Sequence, residues 1–172
     1  MIASLLAGLV AVAPAGMPPV DACHVQPRST HCVFVQPVSM EMAAARSRQA
    51  TVLTGWGKSL YRGMWWRPEY APLRKCIMDR ESNFRYTAKN PTSSASGAYQ
   101  FLDRQWRRGL TYMMLEESRQ TRDGLAAEIR ALRDVPIRKW SRYWQDRAFY
   151  TAWRHGKGAK HWNPTVPGTG CW

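Results

Sequence analysis

The chain has 172 residues, of which 45% are hydrophobic and 12% aromatic, so it is long and apolar enough to fold around its own core. This composition argues against long disordered tracts over most of the length. The formal net charge is +13, and a basic chain is attracted to polyanions such as nucleic acid, anionic lipid or the bacterial cell wall. Long runs of Lys and Arg and nucleic-acid-binding motifs are both missing from the sequence, so no nucleic-acid partner is expected.

Residues 1–22 are predicted to form an apolar leader. The stretch 2–15 is rich in Ala, Leu and Val and is too short to span a bilayer comfortably. It resembles the hydrophobic region of a signal peptide, with the small residues Ala13 and Ala15 before a possible cleavage site, although no basic segment precedes it. We therefore expect no stable membrane span.

Residues 23–68 are predicted to be an irregular N-terminal arm and linker with one helix. Prolines interrupt the first part of this segment. The helix is predicted from Ser39 to Leu53, because serine is a favoured N-cap and the following residues are good helix formers. Glycines and tryptophans then make an aromatic linker.

Residues 69–172 are predicted to form a compact domain of the α+β class that is mostly α. Apolar residues at helical spacing indicate four helices. Residues 86–101, between the first two helices, have the composition of a loop or a short β-hairpin. The helices are predicted from Pro72 to Arg85, from Asp103 as an N-cap, from about Asp123 to a stop before Pro136, and from Pro136 to about Gly156.

The four cysteines leave two alternatives open. They form either two disulfides, Cys23–Cys32 and Cys76–Cys171, or four buried thiols, and disulfides would indicate an oxidising location. The histidines lack a recognisable zinc spacing, and the Cys23/His24 and His31/Cys32 pairs have an unusual one. No metal site and no cofactor are expected.

Glu81 is the candidate catalytic residue. It falls near the end of the first domain helix, beside Ile77 and Phe84, and a carboxyl partly buried against apolar groups has a raised pKa. Such a group can hold a proton near neutral pH and donate it to a leaving oxygen. Arg80 acts in the opposite direction, and a surface glutamate in a salt bridge is the alternative.

The segment from Cys76 to Trp106 carries a family resemblance. It reads CIMDRESNFRYTAKNPTSSASGAYQFLDRQW, with Glu81 and Ser82 followed by an Asn-Pro pair and a Gly-Ala-Tyr-Gln-Phe turn. In this order of motifs the chain resembles the lysozyme-like lytic transglycosylase domain, in particular the form related to resuscitation-promoting factors and to phage peptidoglycan-degrading proteins. The resemblance covers roughly residues 70–172, including the segment from Trp144 to Ala148.

The resemblance implies a mostly helical lysozyme-like fold in which Glu81 protonates the bond between N-acetylmuramic acid and N-acetylglucosamine. It also implies that Cys76 pairs with Cys171. Tyr99 and Phe101 have an alternative role as core aromatics, and Trp65, Trp66 and Trp162 are further candidates for sugar contacts. The predicted substrate-binding residues are Ser82, Asn90, Ser96, Gly97, Ala98, Tyr99, Gln100 and Phe101.

A second carboxylate is not evident near Glu81. Hydrolytic glycosidases use a pair of carboxylates, whereas Asp103 is predicted to be a helix cap and Asp79 should point away from Glu81. In a lytic transglycosylase one glutamate is sufficient, because the 6-hydroxyl of the substrate attacks. The prediction is therefore a single-glutamate lytic transglycosylase acting on peptidoglycan strands outside the cytoplasm, or within a virion if the chain is phage-encoded.

Two other functions stay open. The first is a virion or tail structural protein whose lysozyme-like domain binds or penetrates the wall and whose partners are other virion or tail proteins. The second, less favoured, is a basic nucleic-acid-binding protein.

Overall fold

The computed structural model describes residues 39–162 together with 170 and 171. These residues are mostly helical with one two-stranded antiparallel sheet, which confirms the α+β, mostly α, class. The predicted leader, residues 23–38 of the arm and the Cys23–Cys32 pair lie outside the described residues. The elements are α1 (Met40–Ala45), α2 (Ala71–Ser82), β1 (Ala95–Ser96), β2 (Phe101–Leu102), α3 (Asp103–Thr121), α4 (Ala126–Ala131) and α5 (Arg142–Trp153).

Helix α5 forms the centre of this unit. All of its residues from Arg142 to Trp153 are buried, and α3 packs along it. An all-buried helix normally needs apolar residues on every face. Here α5 also carries Gln145, Asp146 and Arg147, so its burial depends on polar partners from other elements. Those partners position the candidate site.

Two of the predicted helices are interrupted. The first, predicted from Ser39 to Leu53, ends at Ala45, and a short 3₁₀-helix follows at Arg48–Thr51. Ser39 does cap α1, since its side chain accepts a hydrogen bond from the Met42 amide at 3.1 Å. The helix predicted from Pro136 is divided into the 3₁₀-helix Ile137–Lys139 and α5.

The second interruption has a visible cause at Trp140. Its backbone is extended, with ψ of 145°, and its indole N–H donates to Val135 O at 2.8 Å. This bond holds the ring in the core, where the residue is 1% exposed. The region between α3 and α5 contains α4 and a 3₁₀-turn at Leu132–Asp134, and these end before Pro136 as predicted.

The segment from Ser39 to residue 68 belongs to the same folded unit as the helices that follow it, so the predicted boundary at 68/69 does not separate two units. Tyr61 is fully buried in the shared core. Ser39 donates to Asp123 O at 2.8 Å, and the Tyr143 hydroxyl donates to Glu41 at 2.6 Å. The sequence did not reveal this packing because the contacts join residues more than 80 positions apart.

A hairpin follows α2, as the composition of residues 86–101 predicts. Ala95 pairs with Leu102 and Ser96 with Phe101, and an isolated bridge joins Lys89 to Ser96. The strands are only two residues long, so the hairpin depends on its contacts with α2 and α5 for its position.

A disulfide joins Cys76 in α2 to Cys171 near the end of the chain. The two cysteines are 95 residues apart, and closing a loop of that length stabilises a fold by about 5 kcal/mol in the chain-entropy model. The bond fixes the helix that carries Glu81. None of the helices in the described ranges combines the length and the apolar composition that a bilayer span requires.

Candidate functional site

The site is built at the C-terminal end of α2, where Glu81 and Ser82 are the last two helical residues. Pro72 lies in the first turn of the helix, where its missing N–H costs nothing. The helix ends in a sharp reversal, because Asn83 and Phe84 adopt left-handed φ values of 50° and 58°. Asparagine tolerates this conformation, but a bulky residue such as phenylalanine rarely adopts it. Strained backbone of this kind is concentrated at functional sites.

Ser82 connects this helix end to the turn that follows β1. Its single hydroxyl proton is shared between two carbonyl acceptors, Met78 O at 3.0 Å and Ala98 O at 2.9 Å, so it links the helix and the turn. The residue is 6% exposed and makes these contacts inside the protein. Ser82 therefore supports the helix end, and its side chain does not face a ligand.

Glu81 retains access to solvent, with its side chain 26% exposed. The guanidinium of Arg80 contacts Glu81 Oε1 at 2.8 Å through Nη2 and at 3.1 Å through Nε. The same Nη2 donates to Trp162 O at 2.6 Å, which holds the arginine in place. The structure therefore shows the alternative that the sequence left open, a partly exposed glutamate in a salt bridge with Arg80.

The turn at residues 97–100 is held from α5 by Gln145. Its Oε1 accepts the Ala98 N–H at 2.8 Å, and its Nε2 donates to Tyr86 O and Trp140 O, both at 3.0 Å. Gly97 has φ of 82°, and a Cβ there would lie 2.5 Å from the Gln145 oxygen, so only glycine fits. Gln145 has no role predicted from the sequence, because its helical neighbours Ser141 and Arg142 are polar and do not single it out as a buried amide.

The predicted substrate-binding residues are mostly part of the protein interior. Two of them keep partial exposure. Gln100 donates from Nε2 to Gly97 O at 2.9 Å, and Asn90 accepts from the amides of Thr92 and Ser93 at 2.9 and 3.0 Å. The buried ones are Ser82, Ser96, Gly97, Ala98, Tyr99 and Phe101.

Tyr99 takes the alternative role of a core aromatic. It is 1% exposed and stacks on Phe149 with ring centroids 4.7 Å apart. Phe101, at 5% exposure, packs against Trp162. Trp162 is itself buried and donates to Tyr99 O at 3.0 Å, so this candidate for sugar contact also serves packing. Gln100 is the residue of the turn that keeps a side chain at the surface.

A buried polar network lies beneath the turn. The Tyr99 and Tyr86 hydroxyls donate to Asp146 Oδ1 at 2.6 and 2.8 Å. Arg74 donates to both carboxylate oxygens at 3.1 Å and to the two hydroxyls at 2.7 and 2.9 Å. Burial and the neighbouring carboxylate of Asp146 raise the pKa of both tyrosines, so their protons stay on the hydroxyls and donate. This network fixes the angle between α2, α5 and the turn.

No second carboxylate accompanies Glu81 in the contacts of the described residues. Asp146 is fully buried and paired, and Asp79 is exposed on α2. Asp103 does not cap α3, contrary to the prediction, because Leu102 is the N-cap. The Asp103 carboxylate instead accepts the Ile137 N–H at 3.3 Å and lies 3.5 Å from Arg107.

Among residues 39–162, 170 and 171, no group of three or more His, Cys, Asp or Glu side chains is placed to hold a metal ion. The site can therefore offer one accessible carboxyl, an arginine in contact with it, and a rigid turn fastened to the same helix end. No protein-family model matches this chain, and no curated protein and no solved structure matches it either.

Proposed function

We propose that the folded unit is a lysozyme-like domain that cleaves peptidoglycan strands between N-acetylmuramic acid and N-acetylglucosamine, as a single-glutamate lytic transglycosylase. The observation that carries this proposal is the hydrogen bond from Ser82 to Ala98 O at 2.9 Å. It fastens the turn of the motif to the residue next to Glu81, so the acid and the turn form one rigid assembly. Preorganised groups of this kind lower the cost of reaching the transition state.

In the proposed reaction Glu81 first acts as a general acid. Its proton passes to the glycosidic oxygen as the bond to C1 of the muramic acid breaks. The 6-hydroxyl oxygen of that sugar then attacks C1 to close a 1,6-anhydro ring, and its proton returns to Glu81. The carboxyl finishes in its starting state, so no water and no second carboxylate take part in this scheme.

Arg80 has a defined place in this scheme. While it contacts Glu81 Oε1 at 2.8 Å, that oxygen is occupied by a cationic donor. The other carboxyl oxygen, Oε2, carries the proton that passes to the glycosidic oxygen, so the Arg80 contact persists during the transfer. The hydrogen bond from Arg80 to Trp162 O holds the guanidinium in this position.

The disulfide supports a location outside the cytoplasm, either secreted or in a virion, because such bonds persist in oxidising compartments. Purified cell wall is therefore the substrate for the test. Digestion by wild type, Glu81→Gln and Asp79→Asn is followed by mass analysis of the products. Asp79 is the matched control, because it is an exposed carboxylate on the same helix.

Glu81→Gln is expected to lower product formation at least about 100-fold, the usual contribution of a general acid, while Asp79→Asn stays close to wild type. Anhydro ends, lighter by one water than hydrolysed ends, are expected in the products. Unchanged activity of Glu81→Gln would refute the assignment. Wall binding by wild type without any cleavage would favour the structural role in a virion or tail.

A further inference from the structure

A polar cleft of about 420 Å³ opens beside the hairpin, and Glu81 is not among the residues that line it. Its walls come from the hairpin, from the first turn of α3 and from the 3₁₀-helix Ile137–Lys139. The lining residues are Lys89, Pro91, Thr92, Ser93, Ser94, Ser96, Asp103, Arg104 and Arg138.

The cleft carries an excess of positive charge. Lys89, Arg104 and Arg138 line it, and within the described part of the chain none of these three forms an ion pair. Asp103 is the acid in the wall, and its Oδ1 is already bonded to the Ile137 amide and close to Arg107. Three cations against one carboxylate leave an excess of positive charge in the cleft, which favours an anionic ligand.

Ser96 provides a second, independent observation. It lines the cleft at 3% exposure, and its Oγ is buried without a hydrogen-bond partner among the described residues. The neighbouring hydroxyls differ, since those of Thr92, Ser93 and Ser94 all have partners. A buried hydroxyl left unpaired costs about 1–3 kcal/mol, and such groups call for an explanation. Because this oxygen has almost no accessible surface, a ligand in the cleft becomes its partner only once the serine side chain rotates toward the cleft.

We propose that this cleft binds the carboxylate of a muropeptide, the peptide-bearing sugar unit of the cell wall. Arg104 and Arg138 bind the carboxylate, and the Ser96 hydroxyl donates to it after its side chain rotates into the cleft. The hydroxyls of the 92–94 segment contact the polar amide and sugar groups of the ligand. The choice of a wall component rests on the proposed function, whereas the cleft itself does not involve Glu81.

Charge alone does not distinguish a carboxylate from a phosphate monoester in this cleft. Guanidinium groups bind both anions in a bidentate manner, and the single Asp103 carboxylate in the wall is outnumbered by three cations. The carboxylate is chosen because muropeptides carry one. The Asp103 carboxylate can accept an amide or hydroxyl proton, and a muropeptide carries several of these.

The test measures binding to the full chain carrying Glu81→Gln, so that cleavage plays no part. Muramyl dipeptide is compared with its neutral methyl ester, with glycerol 3-phosphate and with chitotriose by titration calorimetry at low salt. The cleft variants are Arg138→Gln and Ser96→Ala. Arg133→Gln is the matched control, because Arg133 is exposed on the preceding 3₁₀-turn and does not line the cleft.

Muramyl dipeptide is expected to bind at least about ten-fold more tightly than its ester, because the ester lacks the charged acceptor. Arg138→Gln and Ser96→Ala should each weaken binding about ten-fold or more, with Arg133→Gln unchanged. Ser96→Ala should melt at the wild-type temperature or above it, because it removes an unpaired hydroxyl. That combination separates a ligand-binding role from a structural one.

Equal binding of acid and ester, or binding that is insensitive to Arg138→Gln, would overturn the proposal. Tighter binding of glycerol 3-phosphate than of muramyl dipeptide would overturn the choice of a carboxylate. The two proposals fail separately: a chain that binds muramyl dipeptide in this cleft but cleaves no wall contradicts only the glycosidase assignment.

Discussion

A Gln145→Met variant tests whether the turn beside Glu81 is held in place from α5. Methionine has a similar length and shape but neither donates nor accepts strong hydrogen bonds. The change removes one bond to Ala98 N–H at 2.8 Å and two bonds from Nε2 at 3.0 Å to backbone carbonyls. Gln145 is 0% exposed, so water cannot take over these bonds without opening the core.

The expected cost follows from this count. Each of the three buried backbone groups that lose their partner costs about 1–3 kcal/mol, which gives at least about 3 kcal/mol in the free energy of unfolding. The free energy of unfolding of a small domain is about 5–15 kcal/mol, so the variant should stay folded but be clearly less stable than wild type. Its turn should also shift, because Gly97 and Ala98 lose the group that defines their position. Wall digestion should fall even at temperatures where the variant is fully folded.

Urea unfolding followed by tryptophan fluorescence measures the change in stability. With a denaturant slope of about 1–3 kcal/mol per M, the midpoint should fall by about 1 M or more. Gln120→Met is the control, because Gln120 is an exposed glutamine on α3, and exposed substitutions cost less than about 0.5 kcal/mol. A Gln145→Met midpoint within about 0.3 M of wild type, with an unchanged slope, would refute the reasoning.

Three further predictions concern the interior and the disulfide. Tyr99→Phe removes a hydroxyl that bonds in the buried network and should cost about 1–3 kcal/mol in urea unfolding, whereas Tyr112→Phe, at 59% exposure, should cost nothing measurable. Replacing both Cys76 and Cys171 by serine should cost up to about 5 kcal/mol, and reductant should lower the melting temperature of wild type but not of the variant. Burial raises the pKa of Glu117, so the folded state holds a proton that the unfolded state has lost once the pH passes about 4.5. The contribution of Glu117 to stability therefore falls as the pH rises from there, and the stability of Glu117→Gln relative to wild type should improve as the pH rises above about 4.5. A stability difference that does not change with pH would contradict the direction of the pKa shift.

The sequence predicted the position of Glu81 because that prediction needed only local information. Helical spacing gives the course of α2, and the motif order gives the turn that follows. The hairpin was likewise indicated by composition. The ion-pair partner of Glu81, Arg80, is its neighbour in sequence. The orientation of the Arg80 side chain depends on its hydrogen bond to Trp162 O, however, and that residue is 82 positions away.

The buried polar networks could not be predicted from local patterns. Arg74 and Asp146 are 72 residues apart, and the local pattern of neither helix indicates that the two side chains pair. A second network surrounds Arg147, which pairs with Glu117 at 3.3 Å and Asp123 at 2.8 Å. Because these partners come from three separate segments, the burial of every face of α5 becomes evident only once the chain is folded.

The same networks decide where the net charge of the protein acts. The formal charges of the buried acids and the buried arginines sum to zero, so the interior adds nothing to the net charge of +13. The charges of Asp21 and Arg28, which lie outside the described ranges, also sum to zero. The whole excess therefore lies outside the buried core of residues 39–162. The buried set is Glu117, Asp123 and Asp146 with Arg74, Arg142 and Arg147.

A surface this basic attracts any polyanion over about 10 Å at 0.1 M salt, and raising the ionic strength weakens that attraction for wall and nucleic acid alike. Selectivity has to come from short-range contacts that salt screens less, such as those of the buried Ser96 hydroxyl and the carboxyl of Glu81. Discrimination between a muropeptide and its methyl ester should therefore persist at salt concentrations that abolish general adsorption to cell wall. If this discrimination and the general adsorption to cell wall disappear at the same ionic strength, the cleft binds only through the overall positive charge of the surface and has no selectivity of its own.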